Sequence, residues 1–115
     1  QHPKPMKVEA CQILLTLMEA DSHGYALMQR LEERTNGRVR LLPGALYRHL
    51  HRLLEAGQIE ELAKDGSESA RRRSYRLTDQ GRDALRFESK RLAALVSEAQ
   101  ALGLLDTALD EGTTP

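Results

Sequence analysis

Residues 43–57 read PGALYRHLHRLLEAG, and this stretch has the spacing of one amphipathic helix. Pro43 suits the first turn of a helix, where its missing N–H leaves no bond unmade, and Gly57 is placed to end the helix. One face is apolar and is expected to pack on a core, whereas the opposite face is small and basic. The apolar face consists of Leu46, Tyr47, Leu50, Leu53 and Leu54, and the opposite face of Ala45, Arg48, His49, Arg52 and Ala56.

Two helices are predicted before this one. Apolar residues at helical spacing indicate a first helix from Lys7 to about Ala20. Residues 21–24, Asp-Ser-His-Gly, interrupt it, and a side chain among the first three is expected to cap the second helix. The second helix ends at Asn36-Gly37, a pair that often adopts the left-handed conformation of a helix C-cap.

A short β-hairpin and a long helix are predicted after it. Residues 58–62 and 73–77 have the pattern of strands on either side of a turn-rich segment at 64–70. Thr78 is a good N-cap for a last helix that runs to about Ala101. The chain is therefore predicted to be mainly α with a small β-hairpin, in the order of a winged helix-turn-helix followed by a long C-terminal helix.

The charges are balanced overall but unevenly distributed. Seventeen basic and 17 acidic residues give a net charge of zero. Two windows nevertheless contain arginines and no acidic residue, with five arginines in residues 34–54 and four in residues 69–78. Because local clustering of cations is what a nucleic acid attracts, we expect the third helix and the hairpin to converge on one ligand.

The third predicted helix is suited to the major groove of DNA, which admits one α-helix. Arg48 and Arg52 lie one turn apart and can reach phosphates or guanine O6 and N7, and His49 can donate or accept a hydrogen bond. Gly44 and Ala45 are small enough to let the N-terminus of the helix approach the DNA backbone closely.

Several of these residues also have a plainer interpretation. Surface arginines are often merely solvated, and Arg71–Arg73 of the hairpin either read bases or clamp phosphates without sequence preference. Tyr47 has two possible roles. It is either a plain core residue, or its ring packs inward while its hydroxyl contacts a phosphate, and the second role is favoured. For Tyr25 the core is favoured, and Tyr75 is expected to pack within its strand.

The last predicted helix carries an apolar seam. Apolar residues recur every seven positions at 85, 92 and 99 and again at 95 and 102, and Glu88 interrupts them. So small a domain cannot bury this apolar stripe by itself. The first helix or a second subunit must cover it, and a two-fold dimer is expected. The predicted dimer interface consists of Val8, Cys11, Leu15, Leu85, Leu92, Leu95, Val96, Ala99 and Leu102.

Little in the sequence points to catalysis, metal binding or a membrane. The single cysteine, Cys11, excludes an internal disulfide framework, and its apolar surroundings predict a buried, inert thiol. The four histidines lack metal-ligand spacing, and no catalytic triad, phosphate loop or carboxylate pair is recognisable. With no long apolar run and no signal-peptide core, we expect a soluble cytoplasmic protein that has no cofactor, no metal and no enzymatic activity.

Three motifs within residues 8–90 together resemble the PadR family of bacterial transcriptional regulators. They are the turn His23-Gly-Tyr, the helix start Pro43-Gly-Ala-Leu-Tyr and the exit from the hairpin, Tyr75-Arg-Leu-Thr-Asp-Gln-Gly. The resemblance implies a winged helix with a C-terminal dimerisation helix, DNA binding as a homodimer and repression. The short, single last helix is similar to the smaller PadR subtype.

The resemblance also assigns residues to the DNA-facing surface. Leu42 and Ala45 depart from the family pattern, which often has hydroxyl residues there, and the chain has no Trp, so the flat aromatic drugs bound by some relatives are not expected. Tyr25, Pro43, Gly44, Ala45, Tyr47 and Arg48 match the family's DNA-facing motif, and Arg71–Arg73 fall on its wing. The complete predicted DNA-binding set is Tyr25, Arg40, Pro43, Gly44, Ala45, Tyr47, Arg48, His49, Arg52, Lys64, Arg71, Arg72 and Arg73.

These observations predict a sequence-specific, DNA-binding transcriptional regulator. It is expected to repress, and to bind a palindromic operator as a homodimer with half-sites roughly 34 Å apart. Two alternatives remain open, a winged-helix protein-interaction module and a sensor that holds a small-molecule effector at the dimer interface. The predicted organisation is a flexible arm at 1–5, a winged-helix domain at 6–78, a dimerisation helix at 79–109 and a flexible tail at 110–115.

Overall fold

The computed structural model describes residues 4–62 and 73–106. Within these ranges the helices are α1 (Val8–Glu19), α2 (Gly24–Arg34), α3 (Pro43–Glu55) and α4 (Asp79–Ala101). The strands are β1 (Ser22–His23), β2 (Ile59–Leu62) and β3 (Ser74–Leu77), which form one antiparallel sheet in the order β1-β3-β2. This mainly α arrangement with a small sheet confirms the predicted winged-helix fold.

The core is shared by all four helices and the sheet. The predicted apolar face of α3 supplies Leu46, Leu50 and Leu53, which are buried, while Tyr47 and Leu54 are half-buried at its margin. Each fully buried leucine or isoleucine stabilises the fold by about 1.5–3 kcal/mol relative to its exposed state. The other buried apolar residues are Ile13, Leu14, Leu17, Leu27, Leu31, Val39, Ile59, Tyr75, Leu77 and Leu85.

The sheet contains a third strand that the sequence pattern did not indicate. Ser22 pairs with Tyr75 and His23 with Ser74, so the segment expected to cap α2 instead extends the hairpin. Ser74 Oγ lies 2.9 Å from His23 Nδ1, and the His23 side chain makes no capping bond to α2. The expectation of a side-chain cap from this segment was therefore wrong, because its polar groups bond to the sheet.

The end of α2 follows the predicted left-handed pattern. The helix stops at Arg34, after which Asn36 and Gly37 have φ angles of 53° and 80°. The Gly37 N–H donates to the Glu32 carbonyl at 2.8 Å, which satisfies a carbonyl that the helix leaves open. The Thr35 hydroxyl donates to the Leu31 carbonyl at 2.8 Å, so the chain is anchored where it turns towards α3.

Thr78 joins the start of α4 to the turn after α3. Its hydroxyl accepts a hydrogen bond from the Gly81 N–H at 3.0 Å, which confirms it as the N-cap of α4. The same hydroxyl donates to the Gly57 carbonyl at 2.6 Å, and the Thr78 N–H donates to the Gln58 carbonyl at 3.1 Å. These bonds hold the first turn of α4 directly against the backbone between α3 and β2.

Glu88, which interrupts the apolar seam of α4, forms hydrogen bonds within the protomer. Its side chain is buried, and its carboxylate accepts hydrogen bonds from the Met6 N–H at 3.3 Å and from Arg91 Nε at 3.1 Å. The hydrogen bond from Arg91 holds the pKa of Glu88 below its usual value despite burial, and the Met6 N–H acts in the same direction. Glu88 thereby ties the segment before α1 to the middle of α4.

Cys11 lies in the apolar surroundings that the sequence predicts, but it is half-buried rather than fully enclosed. Burial raises the pKa of the Cys11 thiol, and the nearby charge of Glu88 raises it further. A raised pKa keeps the sulfur protonated and poorly nucleophilic, in line with the inert thiol that we expected.

Candidate nucleic-acid interface

The outward face of α3 presents cations that the fold leaves available. Because Leu46, Leu50 and Leu53 point into the core, the opposite face of the helix carries Arg48 and Arg52, and both are exposed. Neither guanidinium forms an ion pair with any residue in the described ranges, 4–62 and 73–106. These two guanidinium groups can therefore meet an anion without first breaking an internal ion pair.

The N-terminus of α3 is open to a ligand. Leu42 occupies the N-cap position and offers no side-chain hydrogen bond, so the first N–H groups of the helix lack that partner. Pro43 and Gly44 are exposed, and Ala45 is half-buried. A Cβ built on Gly44 would have Arg48 Nη1 as its nearest neighbour, at 3.7 Å, so the surface here is open. An uncapped helix N-terminus favours a phosphate through its N–H groups and its dipole.

Two tyrosines lie where α2 begins beside α3. The Tyr47 ring is half-buried, and its hydroxyl is so close to Gly24 that a Cβ there would be 2.6 Å away. Tyr47 therefore lies at the margin of the core, and its hydroxyl points to the start of α2. Tyr25 is 47% exposed, so the expectation of a core position for it was wrong. The reason is its place in the first turn of α2, on the side facing away from buried Leu27.

His49 and His51 differ from what the sequence pattern suggested. His49 is half-buried at the margin of the outward face and, like Arg52, lines a cavity beside the segment before α1. Burial lowers the pKa of His49, and Arg52, Lys7 and Arg48 lower it further, against the opposing charge of Glu9. His51, which we did not predict, is exposed and lies 3.2 Å from the Glu55 carboxylate. Its position three residues after Arg48 was the signal that could have placed it on the outward face.

Arg40, between α2 and α3, and Arg73 of the wing are each paired with a carboxylate. Arg40 lies 2.9 Å from Glu32, and Arg73 lies 3.2 Å from Glu61. Tyr75 is buried in β3 as expected, and burial together with the charge of Glu61 raises its pKa to about 12. The predicted contacts Lys64, Arg71 and Arg72 lie outside the described residues.

A cavity of about 390 Å³ lies behind the outward face of α3. The segment before α1, the second half of α3 and the first half of α4 enclose it. Its walls are largely apolar, and several cations lie among them. The residues that line it include Met6, Lys7, His49, Arg52, Ala84 and Phe87.

The residues predicted for a dimer interface divide into two groups. Leu85 is buried in the protomer's own core, so it is not available to a partner, and Cys11 and Leu15 are half-buried against the same core. The remaining residues reach the surface. Val8, Leu92, Leu95 and Leu102 are exposed, and Val96 and Ala99 are half-buried.

Neither a metal-binding cluster nor a membrane-spanning helix is present within residues 4–62 and 73–106. No group of three or more His, Cys, Asp or Glu side chains there is arranged to hold a metal ion. No helix in the same ranges is both long and apolar enough to cross a bilayer.

Comparison with known proteins identifies relatives of the whole fold. A curated relative, an uncharacterized protein of Lysinibacillus sphaericus, is 33% identical over 70 residues, which span 61% of this chain and 64% of that protein. A PadR family transcription regulator from hypervirulent Clostridium difficile has a TM-score of 0.68 at 22% identity, covering 84% of this chain and 98% of its own. Bacillus subtilis PadR in complex with operator DNA has a TM-score of 0.61 at 24% identity, covering 72% and 46%.

The profile of the transcriptional regulator PadR-like family matches residues 13–87, from the middle of α1 to the first half of α4. This range is more than half of the chain and contains α3, the sheet and all three motifs noted in the sequence. Members of this family are transcriptional regulators rather than enzymes. The chain therefore belongs to the PadR-like family of transcriptional regulators.

Proposed function

We propose that this chain is a sequence-specific DNA-binding regulator that represses transcription by binding a palindromic operator as a homodimer. The observation that carries the proposal is the outward face of α3, where exposed Arg48 has no ion-pair partner among the described residues beside an uncapped helix N-terminus. Arginine on an exposed helix reads guanine through O6 and N7, and the N–H groups of a helix start bind phosphate. That the similar Bacillus subtilis PadR was solved with operator DNA supports the same role here.

Contacts between the wing and α3 support a common DNA-facing surface. The Gly24 N–H donates to the Arg73 carbonyl at 3.1 Å, so the start of α2 is joined to the base of the wing. The Tyr47 hydroxyl of α3 packs against the same glycine. The start of α2, α3 and the wing thus meet at one point, as a surface that follows one duplex requires.

The exposed apolar residues of α1 and α4 support the homodimer. A 23-residue helix such as α4 is about 35 Å long. Its second half has exposed Leu92 and Leu95 along the predicted seam, and its C-cap, Leu102, is exposed as well. A second copy is the simplest partner for a self-complementary apolar stripe. In this proposal residues 6–78 read DNA, residues 79–109 join the two protomers, and half-sites lie roughly 34 Å apart.

We expect Arg48→Ala to weaken binding to the operator by about 5- to 150-fold, because one arginine contact to a base contributes about 1–3 kcal/mol. The measurement is fluorescence anisotropy with a duplex from upstream of the chain's own gene and a scrambled duplex, at two salt concentrations. Arg86→Ala is the matched control, because Arg86 is an exposed arginine of α4 that already pairs with Asp83.

The two duplexes separate the possible outcomes. A loss confined to the operator identifies Arg48 as a base contact, whereas an equal loss on both duplexes identifies it as a phosphate contact. Unchanged affinity for both would show that the outward face of α3 does not bind DNA. Weak, equal, salt-sensitive binding by the wild type would instead favour the protein-interaction module.

A second candidate function, response to a small-molecule effector, is favoured by the cavity behind α3. Its volume of about 390 Å³ is in the range of small-ligand sites, and Lys7, His49 and Arg52 lie among its apolar walls. This site lies inside one protomer rather than at the predicted dimer seam. An apolar anion bound there would contact Arg52 on α3 and so compete with DNA for the same cation.

We expect the apolar anion 1-anilinonaphthalene-8-sulfonate to fluoresce with the wild type and to lower its affinity for the operator. Ala84→Trp fills the cavity and should remove both effects, whereas Ala93→Trp on the exposed side of α4 should keep them. Fluorescence and inhibition that survive Ala84→Trp would place the dye elsewhere and argue against an effector site in this cavity.

A further inference from the structure

Two ion pairs link the neighbouring strands of the wing. Arg73 Nη1 lies 3.2 Å from Glu61 Oε2, and Arg76 Nη2 lies 2.9 Å from Glu60 Oε2. In the sequence, the arginines belong to a window without acidic residues, yet the fold places a carboxylate beside each of them. The described part of the wing is therefore close to neutral, although the sequence of its second strand is basic.

The two pairs lie on opposite faces of the sheet. Side chains alternate along a strand, so Glu61 shares a face with buried Ile59, whereas Glu60 points to the other side. On the partner strand Tyr75 lies opposite Glu61, and Arg76 lies opposite Glu60. The Glu61–Arg73 pair consequently lies on the side of the sheet that faces the helices, and the Glu60–Arg76 pair on the outer side.

The Glu61–Arg73 pair borders the point where the wing meets α3. Glu61 lies opposite buried Tyr75 in the sheet. Burial raises the pKa of Tyr75, the charges of Glu61 and Tyr47 raise it further, and that of Arg73 lowers it. The Arg73 carbonyl also accepts the Gly24 N–H, and Gly24 lies under the Tyr47 hydroxyl. A phosphate contacted by both α3 and the wing would lie beside this ion pair.

We propose that Glu61 is an affinity-setting residue that lowers the affinity of the protein for every duplex. It does so by holding Arg73 in an ion pair that a DNA phosphate must displace. This inference rests on the proposed DNA-binding function and adds to it a residue that acts against binding. Glu61 is a positioning residue, since it acts on DNA through Arg73.

When DNA binds, a phosphate replaces Glu61 as the partner of Arg73. The weakness of the ion pair sets the size of the effect on DNA affinity, and the uniformity of the phosphates makes that effect independent of sequence. Both side chains of the pair are substantially exposed, at 52% for Arg73 and 39% for Glu61, and an exposed pair is weak enough for a phosphate to replace it. Once Arg73 has moved to the phosphate, the Glu61 carboxylate has lost its partner. It then lies within a Debye length of the phosphate, which is also negatively charged. Phosphates are the same in all sequences, so this cost is uniform.

The test compares Glu61→Gln with its matched control Glu60→Gln, which removes the same kind of ion pair from the outer face of the same strand. Affinities for the operator duplex and a scrambled duplex are measured over a series of salt concentrations. Glu61→Gln should tighten both by the same factor, about two- to fivefold. It should also steepen the slope of log affinity against log salt by less than one phosphate contact, because Arg73 reaches the phosphate in both proteins and only the counterion taken up by the freed Glu61 carboxylate is removed. Glu60→Gln should change neither quantity.

A double variant shows whether the gain passes through Arg73. In the double variant Glu61→Gln, Arg73→Ala, the extra affinity and the extra salt dependence should both disappear, because the arginine that Glu61 holds is no longer present. If the gain persists without Arg73, or if Glu61→Gln tightens only one of the two duplexes, Glu61 acts on DNA directly and the proposal is wrong.

The Arg48→Ala measurement separates the failure of this inference from the failure of the proposed function. If Arg48→Ala loses affinity while Glu61→Gln leaves affinity and salt slope unchanged, the protein binds DNA but Glu61 does not set its affinity. If the wild type binds neither duplex, both proposals are overturned.

Discussion

Replacing Leu92 and Leu95 together with aspartate is expected to convert the protein to monomers and to weaken operator binding by about 100- to 10,000-fold. The two leucines are 41% and 49% exposed in the protomer, so the domain itself does not depend on them. In a dimer they would be buried, and unpaired carboxylates at a buried interface are strongly unfavourable. A monomer binds only one half-site, so it loses the gain in affinity that a dimer obtains by binding two half-sites at once.

The chain offers a matched control on the same helix. Ala93 and Ser97 are exposed and lie on the side of α4 away from the seam, so the double substitution Ala93→Asp with Ser97→Asp adds the same charge elsewhere. Light scattering after size-exclusion chromatography gives the oligomeric state, and anisotropy gives the affinity. A Leu92→Asp, Leu95→Asp variant that remains dimeric would show that this part of α4 is not the interface.

Gly81→Ala is expected to destabilise the fold by about 3 kcal/mol or more, at the upper end of what overpacking costs. A Cβ on Gly81 would lie 2.0 Å from the Gln58 carbonyl oxygen and 2.8 Å from Leu77 Cδ1. The Gln58 carbonyl cannot retreat freely, because it accepts the Thr78 N–H at 3.1 Å in the network that caps α4. Relief of the clash therefore separates α4 from the turn after α3 and breaks the cap, which alone contributes about 1 kcal/mol.

Gly44→Ala is the control for this substitution. It also lies in the first turn of a helix, but its nearest neighbour would be Arg48 Nη1 at 3.7 Å. Urea unfolding followed by circular dichroism should give a stability equal to the wild type or higher by up to about 1 kcal/mol, the usual gain from glycine to alanine in a helix. If the two alanine variants proved equally stable, α4 would not need its close approach to the turn.

The features predicted correctly are those whose signals lie within a few residues of each other. The spacing of Leu46, Leu50 and Leu53 identified the buried face of α3, and Thr78 was recognisable as an N-cap from the residues next to it. The Asn36-Gly37 pair marked the end of α2 for a similar reason, since the left-handed conformation suits glycine and asparagine. The family motifs combine such local features, so they indicated the fold as well.

The features that were missed or misassigned depend on residues far apart in the chain. Strand β1 has only two residues, too few to show a periodic pattern, and its partner in β3 lies about 50 positions later. Glu88 interrupts the seam in the sequence, but the N–H that it binds belongs to Met6. His49 follows Arg48 directly, yet it is half-buried beside the segment before α1, and burial lowers its pKa.

Local chemistry was thus sufficient for the helices, the N-cap of α4, the left-handed end of α2 and the arginines of α3, because hydrophobic spacing and capping act between near neighbours. Tertiary packing decided which of those cations are available to DNA. Arg48 forms no ion pair with any described carboxylate, whereas Arg73 meets Glu61 across the wing. An ion pair forms between atoms a few ångströms apart in space, and only the folded chain brings such residues together.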